Sequence, residues 1–182
     1  PSLRCVNLSR LRNLGVDTPP QIDAIRETVR CCRRVVRVQI GRSDCLQIWE
    51  LLGPLRTRLE ELSWNNLWNR ASEDAALIDF IRGCPKLDKL HLRINSKSEP
   101  FCEALCAAGP HITQLSLSGI SGLLEENIDL LEENMVSVFF KRLKLVDFNL
   151  DFGTFTNASL DTLLRGPSAA TLQACSIGAF ND

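Results

Sequence analysis

The sequence predicts an α/β solenoid: a curved horseshoe of about six to seven repeats, with a parallel β-sheet on its concave face and helices on its convex face. Three observations predict it. Large apolar residues recur at positions one, four and six of a short motif all along the chain. Between these motifs the apolar period shifts from two residues to roughly 3.6, as helices require. Gly-Pro and Gly-x-Pro steps recur a few residues before the motif, where those helices should stop.

The motif reads Leu11-Leu14-Val16, Val35-Val38-Ile40, Leu59-Leu62-Trp64, Leu87-Leu90-Leu92, Ile112-Leu115-Leu117, Leu143-Val146-Phe148 and, more faintly, Leu172-Cys175-Ile177. First positions lie 24 to 31 residues apart. A return of LxxLxL at about this period marks a leucine-rich repeat, in which each unit is a short strand plus a helix. Leu3-Val6-Leu8 also fits the motif, but Leu11 follows it after only eight residues. The interval from Leu11 to Val35 equals the next one, which predicts Leu11 as the start of the first strand. Residues 1–10 are then the end of a preceding unit. The chain starts at Pro1 within repeat material, so residues 1–182 are expected to form a single leucine-rich repeat domain, a fragment of a longer protein.

The helices follow in order. Over Pro20–Val29 the pattern places Ile22, Ile25 and Val29 on one face, with Thr18 as a start signal. Leu46, Trp49 and Leu52 do the same in the next unit. A further helix opens at Ser72, carries Glu73 and Asp74 in its first turn, where acids suit the helix dipole, and turns Leu77, Phe80 and Ile81 inward. Gly53-Pro54, Gly83-Cys84-Pro85, Gly109-Pro110 and Gly166-Pro167 read as helix ends, glycine supplying a left-handed cap and proline preventing continuation. The longest unit holds LLEEN twice, at Leu123–Asn127 and Leu130–Asn134. That spacing stacks leucines on one helical face and acids on the other, giving a solvated convex-side helix or an acidic docking face.

Composition narrows the function classes. The formal net charge is −1, so no global field draws the chain toward nucleic acid or an anionic membrane. No apolar run is long enough to span a bilayer. Eight cysteines invite a disulfide or metal assignment, but there is no CxxC pair, and His91 and His111 lie in different repeats. Cys102 and Cys106 align with Leu77 and Ile81, and Cys175 stands where a strand leucine belongs. Free cysteine packs as a small hydrophobe, so core filling is expected, with no metal and no cofactor. Reduced thiols imply a cytoplasmic or nuclear setting.

Alternation along each strand turns positions four and six inward and leaves positions three, five and seven on the concave side. Those rows run from Asn13, Gly15 and Asp17 to Ala174, Ser176 and Gly178, with Leu145, Asp147 and Asn149 assigned to the sixth strand. From them we select Arg37, Gln39, Glu61, Asn65, Lys89, His91, Arg93 and Gln114 as the candidate partner-binding residues. Arg37, Lys89, His91 and Arg93, with Glu61 among them, form a mixed but mostly basic group. It is either a docking patch, where arginine binds carboxylate bidentately, or ordinary solvent-facing polarity. Trp68 is expected to pack beneath a loop, an interface anchor being its other role.

No catalytic constellation is visible. Neither histidine has a motif around it, and Asp147 sits two strands from His91, about 10 Å away at the usual strand spacing. There is no phosphate-binding glycine loop, no HExxH and no GxSxG. The chain is expected not to be an enzyme.

CPKLDKLHLRIN (Cys84–Asn95) and GPHITQLSLSGI (Gly109–Ile120) resemble the repeats of F-box substrate receptors, ribonuclease inhibitor and NOD-like receptors, all intracellular and helix-containing. Asn95 keeps the consensus asparagine, whereas Leu67, Ile120 and Asp151 stand at that position elsewhere, which marks the units as irregular. CPKL before a strand is most similar to the F-box group. That resemblance implies a protein-interaction module recruiting substrates to a cullin-type ubiquitin ligase through an adaptor-binding segment outside this chain. The other expectation is a structural or regulatory segment of a larger receptor or scaffold. Both imply protein partners rather than nucleic acid or membrane.

Overall fold

The molecule is a computed structural model that describes residues 3–8, 19–41, 47–65, 71–93, 99–118, 138–150 and 157–177, and seven short strands organise these described residues, the first six with strict inside–outside alternation. They are β1 (Cys5–Leu8), β2 (Arg37–Ile40), β3 (Glu61–Asn65), β4 (Lys89–Arg93), β5 (Gln114–Ser118), β6 (Asp147–Leu150) and β7 (Ala174–Ile177). Every neighbouring pair is parallel, and the spatial order is the chain order. A parallel neighbour requires a crossover between strands. Helices α1 (Pro19–Cys31), α2 (Gln47–Leu52), α3 (Ala71–Arg82) and α4 (Glu99–Ala108) lie in four of these connections. The described part of α5 covers 138–142, and α6 is Asn157–Arg165.

One face of the sheet is apolar. Val38, Ile40, Leu62, Trp64, Leu90, Leu92, Leu115, Leu117, Phe148 and Leu150 are all buried on it. They form a single cluster with helix residues Val29, Trp49, Leu52, Leu77, Phe80, Ile81, Phe101, Leu105, Phe139 and Phe140. Each such side chain contributes about 1.5–3 kcal/mol on burial. Aromatic contacts link successive layers: Trp49 lies edge-on to Trp64 with centroids 5.6 Å apart, and Phe140 edge-on to Phe148 at 4.9 Å.

A second ladder runs just ahead of the strands. The carbonyl at motif position two of each repeat accepts two N–H groups from the next. Arg4 O takes those of Val36 and Arg37, Val36 O those of Glu60 and Glu61, and Glu60 O those of Asp88 and Lys89. Asp88, Thr113 and Val146 continue the series as acceptors.

This ladder and the sheet register correct two expected strands. The first strand uses the Leu3-Val6-Leu8 frame, since Val6 faces Val38 and Leu8 faces Ile40. Cys5–Leu8 is therefore a strand of the sheet rather than the tail of an earlier unit, and the Leu11-Leu14-Val16 frame lies outside the described residues. Equal spacing misled the assignment, because a sheet fixes which residues face each other and not how many lie between. In the sixth unit Phe148 faces Leu115 and Leu150 faces Leu117. The frame is thus Leu145-Phe148-Leu150, two residues beyond Leu143-Val146-Phe148. Leu145 is fully buried instead of lining the concave side, and Val146 is only half-buried.

The helix ends also differ from expectation. None of Gly53, Gly83, Gly109 and Gly166 takes a left-handed backbone. After α2 the chain tightens into a 3-10 turn, Gly53–Leu55. After α3 the N–H groups of Gly83 and Cys84 donate three residues back, to Phe80 and Ile81. Glycine is needed at most of these ends for closeness. A Cβ on Gly83 would stand 2.7 Å from Arg56 Cδ, and one on Gly166 would press on the backbone oxygens of Phe140 and Thr162.

Polar side chains brace the turns between repeats. Arg58 donates to the carbonyls of Val29 (3.1 Å), Cys32 (3.3 Å) and Val35 (3.2 Å), closing the C-terminal end of α1. His111 Nε2 lies 2.9 Å from Cys84 O, and Thr113 Oγ1 donates to Asp88. The cysteines divide. Cys32, Cys84, Cys102 and Cys106 are buried as expected, whereas Cys5, Cys31 and Cys175 are exposed. Cys175 keeps its inward motif position, but on the last described strand, all four of whose residues retain solvent exposure. Leu46, Trp68, Asn95, Cys45 and both LLEEN segments lie outside the described residues.

Candidate partner-binding face

The face of the sheet opposite the apolar cluster is entirely polar from β2 to β6, and the strand register sorts it into rows. The first row is Arg37, Glu61, Lys89, Gln114 and Asp147. The second is Asn7, Gln39, Ser63, His91, Ser116, Asn149 and Ser176. The third is Asn65, Arg93 and Ser118. All eight residues chosen from the sequence fall within these rows, on one continuous surface. Neighbours in a row are about 4.8 Å apart at the strand spacing.

Lateral contacts stitch the rows. Asn7 Nδ2 donates to Gln39 Oε1 at 3.0 Å, and Asn149 Nδ2 to Ser116 Oγ at 3.2 Å. Arg37 Nε pairs with Glu61 Oε2 at 3.2 Å, and the other Glu61 oxygen lies 4.0 Å from His91 Nε2. Glu61 thus occupies Arg37. Among the described residues no carboxylate pairs with Lys89 or Arg93. The basic character of the face is concentrated on β4, where Lys89, His91 and Arg93 project from one strand.

Two shallow cavities adjoin on this surface and share His91 and Ser116. The first, about 320 Å³, lies over β2–β5 and is walled by Gln39, Ser63, Asn65, His91, Arg93, Ser116 and Ser118, with Trp64 and Leu92 at its floor. The second, about 420 Å³, lies over β4–β7 and includes Gln114, Asp147, Asn149 and Ser176. Side-chain hydroxyls, amides and one guanidinium therefore converge on a groove that crosses the strands. Among the described residues no group of three or more His, Cys, Asp or Glu side chains is placed to hold a metal ion. No described helix is long and apolar enough to cross a membrane.

Several residues of this face carry little signal in the sequence. Asn7 was lost with the Leu3 frame. Ser63, Ser116 and Ser118 stood in the correct rows but carry no charge to single them out. Asp147 and Asn149 keep their face in the shifted frame, because a slip of two residues preserves the alternation, and each moves one row over.

No protein-family model matches the chain, and no curated protein matches it. Among solved structures it is similar to a tropomodulin C-terminal domain from Caenorhabditis elegans, with a TM-score of 0.53 and 14% identity over 80% of this chain and 90% of that one. The fold is a leucine-rich repeat solenoid. At that identity the likeness describes architecture alone. In the leucine-rich repeat solenoid seen here, the groove-bearing face is the strand face, the side predicted to be concave.

Proposed function

We propose that this chain is a protein-interaction module that captures a protein partner on the open strand face of its solenoid. One observation carries the proposal: two adjoining cavities form a polar groove across β2 to β7, lined by side chains that the sheet holds in fixed rows. Rigid strands present these groups with little ordering left to be done on binding, which favours recognition. The groove offers hydrogen-bonding groups held in place by the sheet, and the role we assign to them is binding rather than catalysis.

Recruitment of substrates to a cullin-type ubiquitin ligase, through an adaptor-binding segment elsewhere in the protein, is the finer form of this proposal. It rests on the CPKL-type turn before β4, and the free thiols of the described core support a cytoplasmic or nuclear setting. The test is cross-linking of partners captured from cell extract, comparing wild type with Arg37→Glu/Lys89→Glu/Arg93→Glu. Cross-links on β2–β5 that vanish in the triple variant are expected. An unchanged partner set, with cross-links confined to the helices, would overturn the assignment of the face.

A further inference from the structure

The first and last described strands are held by different chemistry. At β1 the inward residues Val6 and Leu8 are only 7% and 8% exposed, and they join Ile25 and Val29 of α1 in the apolar cluster. At β7 the inward positions hold Cys175, which is exposed, and Ile177, which is half-buried. Of residues 161–177 only Leu163 and Ser168 are buried. The stretch of equal length that ends at the same motif position on β5, 101–117, buries eight apolar residues. Polar contacts stand in for the missing apolar ones. Ser168 Oγ accepts from the Leu145 N–H and donates to Leu143 O, and Thr171 Oγ1 donates to Leu145 O at 2.8 Å. The N–H groups of Gln173 and Ala174 donate to Val146 O. These last two bonds repeat the ladder of the other units, and the three hydroxyl bonds are added to it.

We propose that the seventh unit, α6 and β7 with the turn between them, is a polar-latched cap that opens as one body while the rest of the solenoid stays folded. A solenoid unit draws stability from its own fold and from the interfaces with its neighbours. This unit rests on β6 mainly through hydrogen bonds that water can replace, and such bonds hold less firmly than buried apolar side chains. Its interface is therefore the first to part. Opening has a consequence for the groove. Ser176 is the one described residue of β7 in the wall of the second cavity, so opening removes that wall and frees the edge of β6. The cavity over β2–β5 has no wall from this unit and keeps its shape. The cap thus sets how far the groove extends, whatever the groove binds.

Native-state hydrogen exchange of the whole chain in low concentrations of urea tests the cap. Amides of α6 and β7 are expected to share one opening equilibrium, reached well before the global transition. Tryptophan fluorescence reports that transition, since Trp49 and Trp64 lie on α2 and β3. Amides of α1 should exchange later than those of α6. Thr171→Val should quicken exchange of the whole seventh unit about fivefold, α6 included, and Thr171→Ser, which keeps the hydroxyl, should leave it near wild type. Ser168→Ala should quicken it about thirtyfold or more, as a stranded donor and acceptor imply. Amides of β3 and β4 should keep their wild-type rates in all three variants. Exchange of α6 and β7 only together with the loss of tryptophan fluorescence would overturn the cap. So would residue-by-residue fraying in which α6 amides ignore the substitutions. Equal rates in Thr171→Val and Thr171→Ser would overturn the part assigned to the Thr171 hydroxyl.

Discussion

The Leu145 N–H donates to Ser168 Oγ at 2.9 Å, in the interior of the protein, where Ser168 has no exposed surface. The same hydroxyl donates onward to Leu143 O at 2.8 Å. At other repeats the position-one N–H turns back to a carbonyl three or four residues earlier, as Leu87 does to Cys84 and Ile112 to Gly109. Here the next repeat supplies the partner. Ser168→Ala would strand a donor and an acceptor together, so a loss of about 2 kcal/mol or more is expected. Urea denaturation measures it, and the Leu145 amide should exchange faster with deuterium than in wild type.

Arg58 provides a second bridge between repeats. Its guanidinium caps carbonyls at the end of α1, where the helix dipole is negative. Arg58→Met keeps the stem and removes the cap, with an expected cost of about 2 kcal/mol from the charged hydrogen bonds. The earliest sign should be exchange of amides near Val29 and Cys32, ahead of the rest of the molecule. Uniform exchange across all repeats would show that the cap does not act locally.

The glycines at the helix ends should separate by neighbourhood. Gly53 has open space where a Cβ would stand and no left-handed backbone, so Gly53→Ala is expected to be neutral or to stabilise by about 0.4–1 kcal/mol. Gly166→Ala would push a methyl against two backbone oxygens that cannot swing aside, costing about 1–3 kcal/mol. Thermal melts of the two variants should therefore shift in opposite directions, or only the second should shift.

The thiols give a dependence on pH. Burial pushes Cys84 and Cys106 up to about 12 from an ordinary 9.0. Below 9.0 both states hold the proton and these groups contribute no slope. As pH rises from 9.0 toward about 12, the unfolded chain releases protons that the folded chain keeps, so stability falls across that window. Comparing urea midpoints of wild type and Cys84→Ala/Cys106→Ala against pH isolates the effect, and the double variant should show a shallower decline. Cys31 behaves differently. It donates to Glu27 Oε1 at 2.9 Å, and that bond to the carboxylate holds its thiol above the usual value. Glu27→Gln should speed alkylation of Cys31 at neutral pH, since the thiolate is the reactive form.

Much of the fold was legible because burial imposes a period. Leu62, Trp64, Leu90, Leu92, Leu115 and Leu117 alternate with polar residues, and each assignment of side followed from that alternation alone. The register at β1 and β6 was not legible, for a common reason. Leu3 and Leu11 both begin an acceptable motif, as do Leu143 and Leu145, and the choice depends on carbonyl acceptors such as Arg4 O and Thr113 O that no side chain announces. The candidate site was legible in its charges and not in its geometry. Arg93 and His91 stand out by residue type, while the engagement of Glu61 by Arg37 and its nearness to His91 appear only once β2, β3 and β4 lie side by side.

The position-two carbonyls have a further consequence. Successive acceptors, from Arg4 through Val146, lie 24 to 33 residues apart, yet the rungs they support are alike. All variation in unit length is taken up between the strands. Insertions and deletions there can lengthen or shorten a helix without moving Asn65 relative to Arg93. The chain can thus drift in length over evolutionary time while the spacing of its recognition groups stays locked.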